Sequence, residues 1–128
     1  MGKLTDEELE SIDILATYNC FEKIDISKMK NLKYIQLSST GFDQVPIEKL
    51  KNKDILLCNN KGGYSIPISE WIVSAILQIY KNTKSFYDKQ SKKQWICDYS
   101  VSEIYGKKIG FLGTGTLAME SAKRLKAF

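Results

Sequence analysis

Lys107-Lys108-Ile109-Gly110-Phe111-Leu112-Gly113-Thr114-Gly115-Thr116-Leu117-Ala118 is the stretch on which the reading of this chain turns. An apolar run over 107–112 reads as a strand and passes straight into a helix that starts at Thr116. The junction fits G-x-G-x-x-[G/A], the turn that opens a dinucleotide-binding fold. Each small residue has a task. Gly113 allows a tight turn out of the strand. Gly115 lets backbone approach a pyrophosphate with no Cβ in the way, and Ala118 keeps helix and strand close. The phosphates would sit on the free N–H groups of the helix N-terminus. Without a ligand, the same residues describe an ordinary strand-to-helix turn. The pattern also asks for an acid about 20 residues further on, to hold a ribose. That position would lie past Phe128.

Upstream, strand and helix alternate. Strands are expected over 12–18, 32–37 and 54–59, with short helical turns at 26–29 and 46–50 and a loop at 60–63. Pro46 suits a first helical turn. A long helix is expected from Pro67, because Ile66 precedes a proline and is pushed out of the helical region. Ile68, Trp71, Ile72, Ala75, Ile76 and Ile79 fall on one face, and Val73, Leu77 and Tyr80 widen it. Such a helix is expected to be buried between elements or at a subunit interface. It turns polar from Lys81 and is expected to fade toward Lys93. Strand and short helix in alternation imply an α/β fold with a mostly parallel sheet. The best boundary lies within 89–106, where polarity rises between two apolar units.

Composition narrows the function. The net charge of +4 is almost wholly lysine, spread along the chain, with Arg124 the one arginine. Nucleic-acid binding would favour arginine forks in a concentrated stripe, so no nucleic-acid partner is expected. Cys20, Cys58 and Cys97 are odd in number and widely spaced, which argues against a disulfide framework or a metal site. Free thiols, and an N-terminus from Met1 to Glu8 with no apolar core, point to the cytoplasm. The most apolar run, 71–80, falls far short of a membrane span of about 20 residues. Histidine is absent, which removes the side chain best suited to proton transfer near neutral pH.

Four segments in order carry a family resemblance: Leu32-Lys33-Tyr34-Ile35 running to Ser39-Thr40-Gly41-Phe42-Asp43; Asn59-Asn60-Lys61-Gly62-Gly63 with Ser69-Glu70; Tyr105-Gly106-Lys107-Lys108-Ile109-Gly110; and the glycine turn. Together they resemble the NAD-dependent D-2-hydroxyacid dehydrogenases, which include phosphoglycerate dehydrogenase and hydroxypyruvate reductase. The resemblance implies an incomplete flavodoxin-like, parallel-sheet substrate domain over residues 1–90, with the linking helix from about 67. A connector over 91–106 would follow, and 107–128 would be the first βα unit of a truncated Rossmann NAD-binding domain. The chain is thus expected to be short at its front and to stop early at its end.

The resemblance also assigns roles. The backbone N–H groups of Ser39, Thr40 and Gly41 would hold a substrate carboxylate; read from the residues alone, the same segment is a Ser/Thr turn. Asn60 would line the nicotinamide side of the cofactor, or is a loop asparagine in an unusual backbone state. Gly113, Gly115, Thr116 and Leu117 would contact the pyrophosphate. The cofactor would be NAD, or NADP, since the deciding residue would lie past Phe128. The substrate would be a small 2-hydroxy or 2-keto acid, and the parent enzyme a homodimer. The family's catalytic arginine, acid and histidine have no counterpart here, so the isolated chain is expected to be inactive, with no catalytic residue to name. The alternative is a non-catalytic α/β dimerisation or nucleotide-binding module.

Overall fold

The computed structural model describes residues 4–51 and 54–128. Met1, Gly2 and Lys3 of the polar N-terminal stretch lie outside the described residues. The chain divides into two compact units, Met1–Gly63 and Tyr64–Phe128.

In the first unit, strands β1 (Ile14–Thr17), β2 (Tyr34–Leu37) and β3 (Leu56–Cys58) form one parallel sheet in the order β1-β2-β3. All three lie within the predicted ranges. Register places Leu15, Ile35 and Leu57 side by side on one face, and Ile14, Tyr34 and Leu56 on the other. The first face is the core: Ile35 and Leu37 are fully buried, packed with Leu9, Ile26, Met29, Leu32 and Val45. The second face is open, with Ile14 65% and Leu56 62% exposed.

Helix α1 (Asp6–Glu10) begins with a capping box, in which Thr5 Oγ1 accepts from the Glu8 amide and Glu8 Oε2 accepts from the Thr5 amide. Leu9 is its core anchor. Lys28 and Lys30 reach α1 through Asp6 and Glu10. Asp25 caps the 3₁₀ turn Ile26–Lys28 through the Ser27 amide and pairs with Lys49 at 2.9 Å. The Lys49 ammonium, then the Ser27 contacts, hold the Asp25 carboxyl down to about 2.

The second unit is helical. The long helix α2 (Ser65–Tyr80) starts two residues before Pro67. Its first closing bond runs from the Ile68 amide to the Tyr64 carbonyl. Pro67 therefore sits in the first turn, where an amide has no helical partner to lose. The helix stops at Lys81, and Asn82 takes a left-handed backbone (φ 47°) before α3 (Thr83–Ser91). The predicted gradual fade is thus a sharp break with a second helix behind it. Asp98 accepts from Lys89 Nζ (2.7 Å), Ser85 Oγ (2.8 Å) and the Ser100 amide (3.0 Å), tying the following segment to α3. Asn82 donates to Ser100 Oγ at 2.8 Å and closes the knot.

Helix α4 (Thr116–Leu125) packs on α2. Ser69 and Ser121 are fully buried, and each returns its hydroxyl to its own helix, at Ile66 O and Leu117 O. Ser65 meets Thr116 near one end, and Glu70 meets Arg124 further along, so the two helices run in the same direction.

The structure corrects two further expectations. The apolar stripe of α2 divides: Ser69, Ile72, Val73, Ile76 and Leu77 turn inward, while Trp71 and Ile79 stay 68% and 76% exposed. The strand expected over 107–112 does not form. That segment has no strand pairing among the described residues, and Leu112 is fully exposed. A strand is stabilised by a neighbour's backbone, and the second unit offers it none.

Acid stability follows from Asp25. Its folded pKa lies below the unfolded value of about 3.9, so its contribution is present above that value and fades as pH falls toward 2. Urea midpoints of wild type and Asp25→Asn, measured from pH 7 to 2, should converge in acid as wild type loses this advantage. Parallel curves would mean that the capped turn adds nothing to acid sensitivity.

Candidate functional site

Two sets of backbone donors stand out, one in each unit. The first lies past the carboxyl ends of the parallel strands, where α/β sheets bind ligands. The amides of Ser39, Thr40 and Gly41 follow β2 and have no hydrogen-bond partner among the described residues. Side chains hold this loop from several directions. Ser39 Oγ donates to Gly41 O at 2.8 Å. Gln44 Nε2 donates to Ser39 Oγ (2.8 Å) and to Tyr18 O (3.1 Å), joining the loops after β1 and β2.

The loop after β3 is stitched to the same place. The Asn60 amide donates to Ser39 O at 3.0 Å, and Asn59 Nδ2 donates to Thr40 O at 2.7 Å. Asn60 Nδ2 reaches Ser38 O, and Thr40 Oγ1 reaches Asn60 O. The structure therefore brings Ser39, Thr40, Gly41 and Asn60 together. An open cleft beside them is lined by Thr17, Tyr18, Gln36, Ser38 and Asn60. Sequence reasoning missed Gln44 and Asn59. Gln44 had no signal beyond an amide side chain after a strand, and Asn59 stood in a quoted segment without a role assigned to it.

Gly63 completes this loop. A Cβ there would lie 2.3 Å from Asn60 Oδ1. Only glycine lets Asn60 occupy its place.

The second set opens α4. Gly113 has φ 104°, a conformation that L side chains rarely adopt. Gly115 is the N-cap, with extended backbone and no side-chain cap. The first-turn amides of Thr116 and Leu117 therefore point out of the helix without intrahelical acceptors. A Cβ on Gly115 would meet nothing within 4 Å, so the space above these amides is open. The donor set and the open approach fit a diphosphate. The Thr116 and Ser65 hydroxyls share a hydrogen bond at 3.0 Å.

Arg124 is engaged elsewhere. It pairs with Glu120 one turn back and with Glu70 on α2, and it holds the Glu120 carboxyl below its ordinary range. No group of His, Cys, Asp and Glu able to hold a metal occurs among the described residues. No helix among them is long and apolar enough to cross a membrane.

A parallel sheet with donors at its carboxyl edge, followed by a glycine-turn helix, is an arrangement that known proteins share. The family profile described as "D-isomer specific 2-hydroxyacid dehydrogenase, catalytic domain" matches residues 3–123. The chain belongs to this family. A search of curated proteins returned no match. Among solved structures, the chain is similar to a D-lactate dehydrogenase of Aquifex aeolicus complexed with NAD and lactic acid (25% identity, TM-score 0.76, covering 98% of this chain and 39% of that one). A D-lactate dehydrogenase of Treponema pallidum (22%, TM-score 0.79, 95% and 39%) and a dehydrogenase of Rhizobium meliloti (20%, TM-score 0.78, 95% and 44%) share the fold. The chain spans about two fifths of the length of these dehydrogenases.

Gly63→Ala tests the loop geometry. It should displace the Asn60 side chain and shift the Asn60 Nδ2 resonances and the Ser39 amide, with the sheet unchanged. Unchanged resonances would mean that Asn60 is not held as described.

Proposed function

We propose that this chain serves an NAD(H)-dependent oxidoreductase acting on a small D-2-hydroxy acid and its 2-keto acid. In that reaction the cofactor exchanges a hydride with C2 of the acid, while a proton moves on or off the substrate oxygen. The observation that carries the reading is the family match over 3–123, which spans both donor sets.

The roles proposed are those that the family resemblance implies, and the geometry is compatible with them. A hydroxy acid presents a carboxylate, and the three free amides of Ser39, Thr40 and Gly41 are candidate donors for it. Asn60, held to the same loop, is assigned to the nicotinamide end of the cofactor. Gly113 and Gly115 shape the turn, and the Thr116 and Leu117 amides receive the pyrophosphate. NAD is the cofactor proposed, with NADP equally served by this part of the site. Residues 1–90 are proposed as the substrate domain with its linking helix, 91–106 as connector, and 107–128 as the start of the nucleotide domain. The three free thiols accord with a cytoplasmic setting.

The proton step has no agent in these 128 residues. Histidine is absent, and Arg124 is tied to Glu120 and Glu70. Without a group that orients the carbonyl and one that moves the proton, chemistry should not proceed.

A second reading, a pairing module without catalysis, is favoured by one observation: the exposed outer stripe of α2 at Trp71 and Ile79. Light scattering decides it, because a monomer at working concentration removes its support.

For the first reading, pure chain with NADH and pyruvate should show no loss of absorbance at the nicotinamide band. NMR titration should nonetheless move the amides of 113–117 with NADH and those of 39–41 with D-lactate. Turnover would overturn the assignment of inactivity, and silence at both sets of amides would overturn the proposed binding roles.

A further inference from the structure

Ser65 and Thr116 are 51 residues apart in the chain, and no motif links them. The fold makes each the first residue of a helix and puts their hydroxyls in hydrogen-bond contact at 3.0 Å. Each hydroxyl has one hydrogen and can accept as well as donate, so the pair can share the bond in either sense. An anion over the turn selects one sense: Ser65 donates to Thr116 Oγ1, and the Thr116 hydrogen is left for the anion. The space over Gly115, where that anion would approach, is open. A donor that is itself receiving a hydrogen bond is polarised and donates more strongly.

We propose that Ser65 is a positioning residue for anion recognition at the glycine turn: it orients the Thr116 hydroxyl so that this O–H and the first amides of α4 donate to the same diphosphate. The proposal rests on the cofactor reading of that turn. It gives the start of the long helix a part in cofactor recognition. Parallel packing of α2 on α4 keeps it there, with Ser69 and Ser121 buried between them and Glu70 reaching Arg124. The two helix N-termini also lie together, and both favour negative charge. Ser65 needs no contact with the ligand; its effect passes through Thr116.

The test is a titration of the full 128-residue chain with ADP, followed by amide resonances. Wild type should show saturable shifts at Gly115, Thr116 and Leu117. Losing one oriented hydrogen bond, worth about 1 kcal/mol, corresponds to roughly a fivefold weaker Kd. Ser65→Ala should show that loss, and Ser65→Thr should bind as wild type. In a Thr116→Val background, Ser65→Ala should cost nothing further. Wild-type affinity in Ser65→Ala, or an equal loss in the Thr116→Val background, overturns the positioning role and leaves the cofactor reading standing. No shift at 113–117 in wild type overturns both. Should Ser65→Ala fail to fold, the other two variants decide: weakened binding by Ser65→Thr, or full binding by Thr116→Val, sinks the proposal.

Discussion

A parallel strand persists only where its N–H and C=O groups meet a neighbour's, and β2 meets two. It pairs with β1 through residues 34–37 and with β3 through residues 34–36. Ile35 and Leu37 project from it into the core, so one element supplies both the ladder and the most deeply buried side chains. Every feature of the first unit is arranged around that strand. The loops after β1, β2 and β3 emerge at one edge because all three strands point the same way. Side-chain amides from Gln44, Asn59 and Asn60 then tie those loops to one another. The same rule explains the missing strand at 107–112. Its apolar sequence suits a strand well, but strand propensity describes fitness for a pleated neighbour, and the second unit is made of helices.

What backbone pairing leaves over becomes the candidate chemistry. The amides of Ser39, Thr40 and Gly41 lie beyond the last rung of the sheet, and those of Thr116 and Leu117 precede the first closing bond of α4. Both sets are unpaired for reasons of topology, with no special side chain required. Most side chains nearby are small, although Asp43 Oδ2 would lie 3.3 Å from a Cβ on Gly41. Glycine at 113 and 115 and hydroxyls at 39, 40, 65 and 116 keep the donors reachable. The charged groups are spent on holding elements together, as with Asp98 and Lys89, or Arg124 between two glutamates.

Much of this was legible in the sequence. Short apolar runs located all three strands, and the spacing of G-x-G-x-x-A located the start of α4. Other features were not, besides the absent strand at 107–112. The start of α2 was placed at Pro67, because a proline marks the first turn without saying which residue of that turn it occupies. The break at Asn82 was invisible, since a left-handed asparagine differs from a helical one only in backbone angle. The inward stripe of α2 was misjudged because its most buried residue is Ser69. Apolar periodicity counts large side chains, whereas a helix packed closely on another prefers a small one at the crossing. Ser65 escaped for a related reason: its partner is 51 residues away.

The distribution of residue types also separates two tasks that an oxidoreductase must combine. Holding a carboxylate or a diphosphate needs donors of fixed direction, and backbone amides supply these at any pH. Moving a proton needs a group whose charge changes near neutrality, and this sequence has no histidine. The acids with shifted pKa are the wrong kind: Glu8, Asp25, Asp98 and Glu120 are all lowered, each by a hydrogen-bonding partner that stabilises its charge. A carboxylate pushed that way is a poorer base than a free one. The acids with resolved shifts therefore serve the fold, and free donors remain among the backbone amides after β2 and at the start of α4.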